Sequence, residues 1–347
     1  MTLLQVEDLK IDYATRRGIV HAVDGVSFDL EEGENLGLVG ESGCGKTTVA
    51  KSMLRILPPN GSITGGHISY RGSDIAAMKE AEIREIRWKE ISMISQSAMN
   101  ALNPVYRIRD QIVEIFTKRK GLKKNEALSK AIELFELVGL DKRRLQDYPH
   151  QFSGGMKQRV VIAMALALNP AIIIADEPTT ALDVIIQDQV LQKIYELQKM
   201  LKKSIILITH DISIVAERCD KIAVMYAGRL MEYGDIRSVF RSPYNPYTMG
   251  LMNAFPSLVG EKKELISIRG FPPNLINPPT GCRFYSRCPF GLSRCAEKDP
   301  AMIEVGPSHF AACHRADMAE ELRRQGQDRE TWEGGKRIEE IENDAAE

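Results

Sequence analysis

The 347-residue sequence predicts an α/β fold built around a parallel sheet, and three observations carry that prediction. A glycine-rich loop of the phosphate-binding type follows the apolar run NLGLVG and opens a helical segment. Two short, nearly continuous apolar runs, AIIIAD and SIILITHD, flank the helical segment QDQVLQKIYELQKMLKK. Runs of that kind are strands buried on both faces, and strand-helix-strand alternation lays helices over a parallel sheet.

Taken in order, the stretch from Leu3 to about Gly72 holds short β-rich runs such as VHAVDGVSFDL, and predicts strands. Between about Asp74 and Pro170 helical signals dominate. Ala127, Ala131, Leu134 and Val138 recur at helical spacing, so residues 97–170 read as a helical insertion. From Ser242 the composition shifts to proline and cysteine, which predicts a small appended domain over 241–316. Beyond it, 317–347 is charge-rich without an apolar face and reads as a solvated helix or loose tail.

With 44% hydrophobic and 27% charged residues the composition is that of an ordinary globular protein, and a net charge of -1 gives no general bias toward nucleic acid. The longest uninterrupted apolar run, residues 160–168, is about half of what a membrane-crossing helix needs. The N-terminal MTLLQVEDLKIDY is acidic where a secretory signal has a basic start, so the chain is expected to remain in the cytoplasm. Six cysteines in that reducing compartment are not expected to pair. Cys44 and Cys219 stand alone; Cys282, Cys288, Cys295 and Cys313 cluster near the C-terminus.

The loop is GESGCGKT: Gly40, Glu41, Ser42, Gly43, Cys44, Gly45, Lys46 and Thr47, with Thr48 next on the helix. It fits the pattern G-x-x-x-x-G-K-[ST] between a strand and a helix, the context its mechanism needs. Its glycines let backbone amides close around phosphate oxygens, and the helix N-terminus adds partial positive charge. Lys46 meets the β and γ phosphates of ATP and Thr47 ligates Mg2+. The strand AIIIA delivers Asp176 and Glu177 at its C-terminal end, where ligands of open α/β sheets bind. Asp176 suits the metal; Glu177 suits orienting or deprotonating the water that attacks the γ-phosphate. An acidic pair at a strand end is ordinarily just solvated, and it is the phosphate loop upstream that reverses this weighing.

With these elements in place, FSGGMKQR at 152–159 resembles the signature motif of ABC ATPases. The resemblance implies that Ser153, Gly154 and Gly155 reach across a dimer to the γ-phosphate bound by the facing subunit. The usual form is LSGGQ, so Phe152 and Met156 depart from it while the phosphate-contacting serine and glycines are intact. A bland reading, SGG as a helix-capping turn, holds structurally beside the functional one. Three further segments match the family in order: Gln96 in ISMISQ resembles the Q-loop, ALD at 181–183 the D-loop, and His210 in ILITHD the switch histidine. The implied roles are γ-phosphate or Mg2+ sensing for Gln96, cross-dimer contact for Asp183 and phosphate sensing for His210. Tyr13, at the end of the first strand-like run, stands where the family places an adenine-stacking aromatic; an ordinary strand aromatic is the alternative.

QSAMNALNPVYRI, YPHQFSGGM and ADEPTTALDV, with the C-terminal RSPYNPYTMGLM, PPTGCRFYSRCPF and AACH, resemble the dipeptide and oligopeptide import ATPases, whose relatives also carry nickel or oligosaccharides. Cys282, Cys288, Cys295 and Cys313 are separated by five, six and seventeen residues, without the C-x-x-C pairs of zinc ribbons. Four thiolates suit a soft metal, and the resemblance favours a 4Fe-4S cluster, with Zn2+ and unligated thiols as alternatives. The phosphate loop, assigned to another domain, is expected to be independent of this site.

The fold expected is therefore an α/β phosphate-loop ABC ATPase core over 1–240, with an antiparallel N-terminal β-subdomain, a helical signature subdomain and a small Cys-rich C-terminal domain. The function expected is ATP-powered solute import, with the chain peripheral on the cytoplasmic face of the membrane. The implied partners are a homologous second ATPase subunit, two transmembrane permease subunits and an extracytoplasmic solute-binding protein. No nucleic acid is expected. The rival from another class, a soluble ABC ATPase acting on nucleic acid or ribosomes, is disfavoured by one cassette, no long coiled coil and no basic surface.

Overall fold

The computed structural model describes residues 2–96, 101–179, 184–254 and 266–333. In chain order its elements are β1 (Thr2–Thr15), β2 (Gly18–Glu31), β3 (Asn35–Val39), α1 (Lys46–Met53), β4 (Gly61–Tyr70) and β5 (Ser73–Asp74). Next come α2 (Glu80–Ile86), β6 (Ile91–Ile94), α3 (Ile108–Lys120), α4 (Lys124–Leu137), α5 (Gly154–Leu166), β7 (Ile172–Asp176), α6 (Val184–Leu201) and β8 (Ser204–Thr209). α7 (Ile212–Arg218), β9 (Lys221–Tyr226), β10 (Arg229–Asp235), α8 (Ile236–Arg241) and α9 (Pro246–Asn253) follow. The last are α10 (Ser293–Glu297), β11 (Met302–Gly306), β12 (His309–Ala312), α11 (Ala319–Gln325) and α12 (Arg329–Glu333).

The chain divides into two compact units, one of residues 2–30, 35–76 and 209 onward, the other of 31–34 and 77–208. In the first unit the N-terminal strands form the expected antiparallel sheet, in the order β2-β1-β4-β5. Along β1 Leu3, Leu4 and Val6 are buried, then Leu9 and Ile11, so the alternation through Leu4 and Val6 switches from even to odd positions. The register shift between Glu7 and Lys10, with Asp8 at φ 43°, is a bulge that resets the alternation and keeps the apolar set inward. The same unit holds the run β11-β12-β10-β9-β3. β3 pairs parallel with β9 and all five of its residues are buried, as a two-faced strand requires.

The segment after residue 240, expected as a small appended domain, lies in this unit and adds strands to its sheet. β12 pairs antiparallel with β10 through Glu232↔Ala311, Tyr233↔Phe310 and Gly234↔His309. A buried polar cluster locks that pairing. The Glu232 carboxylate, fully buried, accepts from the amides of Tyr244 at 2.8 Å and Asn245 at 3.0 Å and lies 2.7 Å from His309 Nε2. A buried carboxylate is tolerated only with such a complete set of partners. The stretch expected as tail from residue 317 is packed through α12: Leu322 and Trp332 are buried, and the Trp332 indole donates to the Gly326 carbonyl at 2.8 Å. Residues 334–347 lie outside the described residues.

The second unit holds the parallel run β6-β7-β8, with Ile172 opposite both Ile91 and Ser204. Three helices, α3, α4 and α5, form most of the expected insertion. In α4 the buried face is Ala127, Ala131 and Phe135, continued by Val138; Leu134, expected inside, is only half-buried because Phe135 takes the inward position one residue on.

Candidate functional site

The phosphate loop is shaped by its backbone. β3 ends at Val39, and the chain turns into α1 behind Gly45, the N-cap, at φ 106°. Gly40 has φ 148°, and a Cβ there would stand 2.0 Å from the Met225 carbonyl oxygen of β9. No other residue fits that approach, so the loop is pressed onto the strand beside it. Lys46, almost wholly buried, directs its ammonium to the carbonyl oxygens of Gly40 at 2.7 Å and Glu41 at 2.9 Å. The positive charge is thereby held inside the curve of the loop, next to the amides of a helix start, which is the arrangement an anion needs. Cys44 is buried in the loop, and burial pushes its thiol up, against the lowering effect of Lys46.

Two more sequence-assigned residues lie in this unit. Tyr13 packs its ring on Gly61, and its hydroxyl is 3.2 Å from Thr48 Oγ1 on α1, which ties the candidate adenine platform to the loop's helix. His210 is exposed just past β8, ahead of α7, whose N-cap Asp211 accepts from the Ser213 amide at 2.9 Å.

Residues beyond 240 hold the loop from outside, which the sequence reading did not anticipate. The Glu41 amide donates to the Tyr247 hydroxyl at 3.0 Å, and the Glu41 carboxylate accepts from Arg287 Nη1 at 2.7 Å. Arg287 also donates to the Arg269 carbonyl at 2.8 Å, the Ile268 carbonyl at 3.2 Å and the Tyr226 hydroxyl at 3.2 Å. Tyr226 and Tyr247 are fully buried, with ring centroids 4.6 Å apart, and each lies 5.3 Å from Phe284. The loop and the C-terminal segment, expected in separate domains, are thus joined by an ion pair and an aromatic cluster. Tyr247 and Arg287 stand in RSPYNPYTMGLM and PPTGCRFYSRCPF, the segments that carry the resemblance to the peptide-import ATPases, but neither was assigned a role at the phosphate loop.

In the second unit, β7 carries Asp176, 1% exposed, to its end. Glu177 follows at φ 44°, a left-handed conformation that costs a non-glycine residue about 1–3 kcal/mol. Its amide donates to the Ile208 carbonyl at 2.9 Å, which fixes that turn, and Gln96 Nε2 donates to its Oε2 at 2.8 Å. Gln96 and Glu177, far apart in sequence, are thus brought into direct contact. Ser153 caps α5 by accepting from the Met156 amide at 3.3 Å, and Gly154 is the first helical residue. A Cβ on Gly155 would stand 2.4 Å from Ile186 Cγ2, so this glycine also lets α5 and α6 approach. Asp183 lies outside the described residues.

The four C-terminal cysteines line one small cavity with Phe284, Phe290 and Leu322. Three of their sulfurs face a backbone N–H two residues on: Cys282 that of Phe284, Cys288 that of Phe290, and Cys313 that of Arg315 at 3.4 Å. Burial pushes the Cys282 thiol up to about 12 and the Cys313 thiol up to about 11, and raises Cys288 well above the usual thiol range. The expected four-thiolate ligand set is not assembled as such. Among the described residues no three His, Cys, Asp or Glu side chains are placed to hold a metal ion, although the four cysteines line the same cavity.

Residues 23–180 match the ABC transporter family model, and residues 231–295 match the oligopeptide/dipeptide transporter C-terminal region. The oligopeptide transport ATP-binding protein OppD of Salmonella typhimurium is 44% identical over 90% of this chain and 93% of its own length. The dipeptide transport ATP-binding protein DppD of Caldanaerobacter subterraneus subsp. tengcongensis is 42% identical over 90% of this chain and 96% of its own. Among solved structures, the ATP-binding cassette MJ0796, a dimer in a post-hydrolysis state bound to ADP and Pi, matches with a TM-score of 0.60 and 28% identity, over 67% of this chain and 99% of that one. With relatives of 42% and 44% identity aligned over 90% of its length, this chain belongs to the family of ABC transporter ATP-binding proteins.

Proposed function

We propose that the chain is the ATP-hydrolysing subunit of an ABC importer of di- or oligopeptides. The observation that carries this reading is the phosphate loop of Lys46 and Gly40 joined, in one compact unit, to a segment of the oligopeptide/dipeptide transporter type. The relatives' names give peptide transport, and no helix among the described residues is long and apolar enough to cross a membrane. The solute path is therefore assigned to other chains: two permease subunits, with a homologous second ATPase and an extracytoplasmic binding protein, and the chain peripheral to the membrane.

The loop amides and Lys46 bind the phosphates. Glu177, oriented by the Gln96 amide, accepts the proton of the attacking water. Thr47, Gln96 and Asp176 would hold Mg2+, which when bound supplies charge neutralisation at the phosphates. Ser153, Gly154 and Gly155 serve the nucleotide of the facing subunit, Asp183 the cross-dimer contact, and His210 senses the γ-phosphate. Glu177→Gln keeps the shape and the contact to Gln96 but not the base, so turnover should fall about 100- to 10,000-fold with ATP binding retained. Hydrolysis at the parental rate in that variant would remove Glu177 from the role of base.

The four cysteines are assigned to a 4Fe-4S cluster. Four thiols on one cavity, with three N–H groups aimed at their sulfurs, are suited to thiolate ligation. Iron and sulfide analysis of anaerobically purified protein decides it: about four of each per chain is expected, whereas a colourless protein with one zinc overturns the cluster.

A further inference from the structure

An acidic residue inside a phosphate-binding loop is a liability, since its charge opposes that of the nucleotide. Glu41 is such a residue, second in the loop and next to the Gly40 carbonyl that Lys46 faces. Its carboxylate is turned to Arg287, whose side chain is 5% exposed and whose guanidinium is fixed on every side. Nε and Nη2 are spent on the carbonyls of Arg269 and Ile268, while Nη1 serves Glu41 and the Tyr226 hydroxyl. The Arg287 guanidinium carbon lies 5.6 Å over the Tyr226 ring. A planar fork held by four partners does not swing away as a lysine would. On the backbone side, the Tyr247 hydroxyl takes the Glu41 amide and sets where the loop begins.

We propose that Arg287 and Tyr247 are positioning residues for nucleotide binding: Arg287 neutralises Glu41 and holds its carboxylate away from the phosphates, while Tyr247 anchors the loop's first turn. They act through Glu41 and touch no substrate. This rests on the reading of residues 40–47 as the ATP site; the Lys46→Ala variant tests that reading separately, because it weakens ATP however Glu41 is held.

The test is a double-mutant cycle on the full chain, with a fluorescent ATP analogue as probe at low temperature, and with melting curves to establish the folded fraction. Arg287→Met should weaken binding about tenfold, because Glu41 is left facing the phosphates uncompensated. Glu41→Gln should weaken it about threefold by loosening the loop, and Glu41→Gln with Arg287→Met should also stand near threefold, tighter than Arg287→Met alone. The Arg287→Met deficit should shrink at high salt, as an exposed charge is screened. A role confined to stability would lower the melting temperature and leave the folded fraction's affinity unchanged. Tyr247→Phe removes only the hydroxyl and tests the anchor even if Arg287→Met fails to fold, with about a threefold loss expected. Parental affinity in Arg287→Met, or in Tyr247→Phe, overturns the proposal, and so does a double variant no tighter than Arg287→Met.

Discussion

The phosphate loop and the cysteine cavity lie in the same compact unit and are built by opposite means. The loop takes its form from successive backbone torsions, with Gly40 pressed onto Met225 and Gly45 turning into α1, so its shape is present in the polypeptide alone. The cavity gathers four side chains across thirty-two positions, from Cys282 to Cys313, and nothing local obliges their sulfurs to converge. Binding power in the first is preorganised; in the second, on the proposed cluster reading, it would depend on a metal core to draw the thiols together. The two meet at residues 287 and 288, where Arg287 holds the loop and Cys288 lines the cavity.

The largest effect should come from damage to the preorganised site. Gly40→Ala forces a methyl against the Met225 carbonyl; if the loop gives up about 3 kcal/mol of its native arrangement, ATP affinity falls about 100-fold, measurable by nucleotide titration. Parental affinity in that variant would break the view that the backbone torsions decide the site. Lys46→Ala leaves the loop's shape and removes one charged donor of about 2 kcal/mol, so the loss should be about 30-fold. The smallest effect on nucleotide should come from Cys288→Ser, which is expected to lose iron and colour entirely and to weaken ATP only about threefold through Arg287. No change in affinity would show that the two regions are energetically separate in spite of the ion pair. A loss as large as that of Gly40→Ala would show that the loop is not preorganised.

Much of the candidate nucleotide site's local form was legible because it is carried by short contiguous runs: a loop's torsions, a strand's end, a helix cap. The Ser153 cap and the Asp176 strand end follow from residues within a few positions of each other. The contact of Gln96 with Glu177 was not legible, since each residue alone is ordinary and only the pairing of β6 with β7 brings them together. Phe135 in place of Leu134 on the buried side of α4 is the same lesson at smaller scale: periodicity gives a face to within one residue, and packing chooses the member.

What the sequence determined by itself is the set of elements whose physics is local: the parallel strands of continuous apolar character, the phosphate loop with its lysine, and the acidic pair at the end of β7. Only the tertiary structure decided where the C-terminal segment goes. Its proline- and cysteine-rich composition suggested a body of its own, but the pairing of β12 with β10 and the buried Glu232–His309 contact attach it to the loop's unit. The reason is that a buried carboxylate needs partners from distant parts of the chain, and so does an arginine with four acceptors. Such partnerships are selected by the shape of the whole fold, and neighbouring residues carry no trace of them.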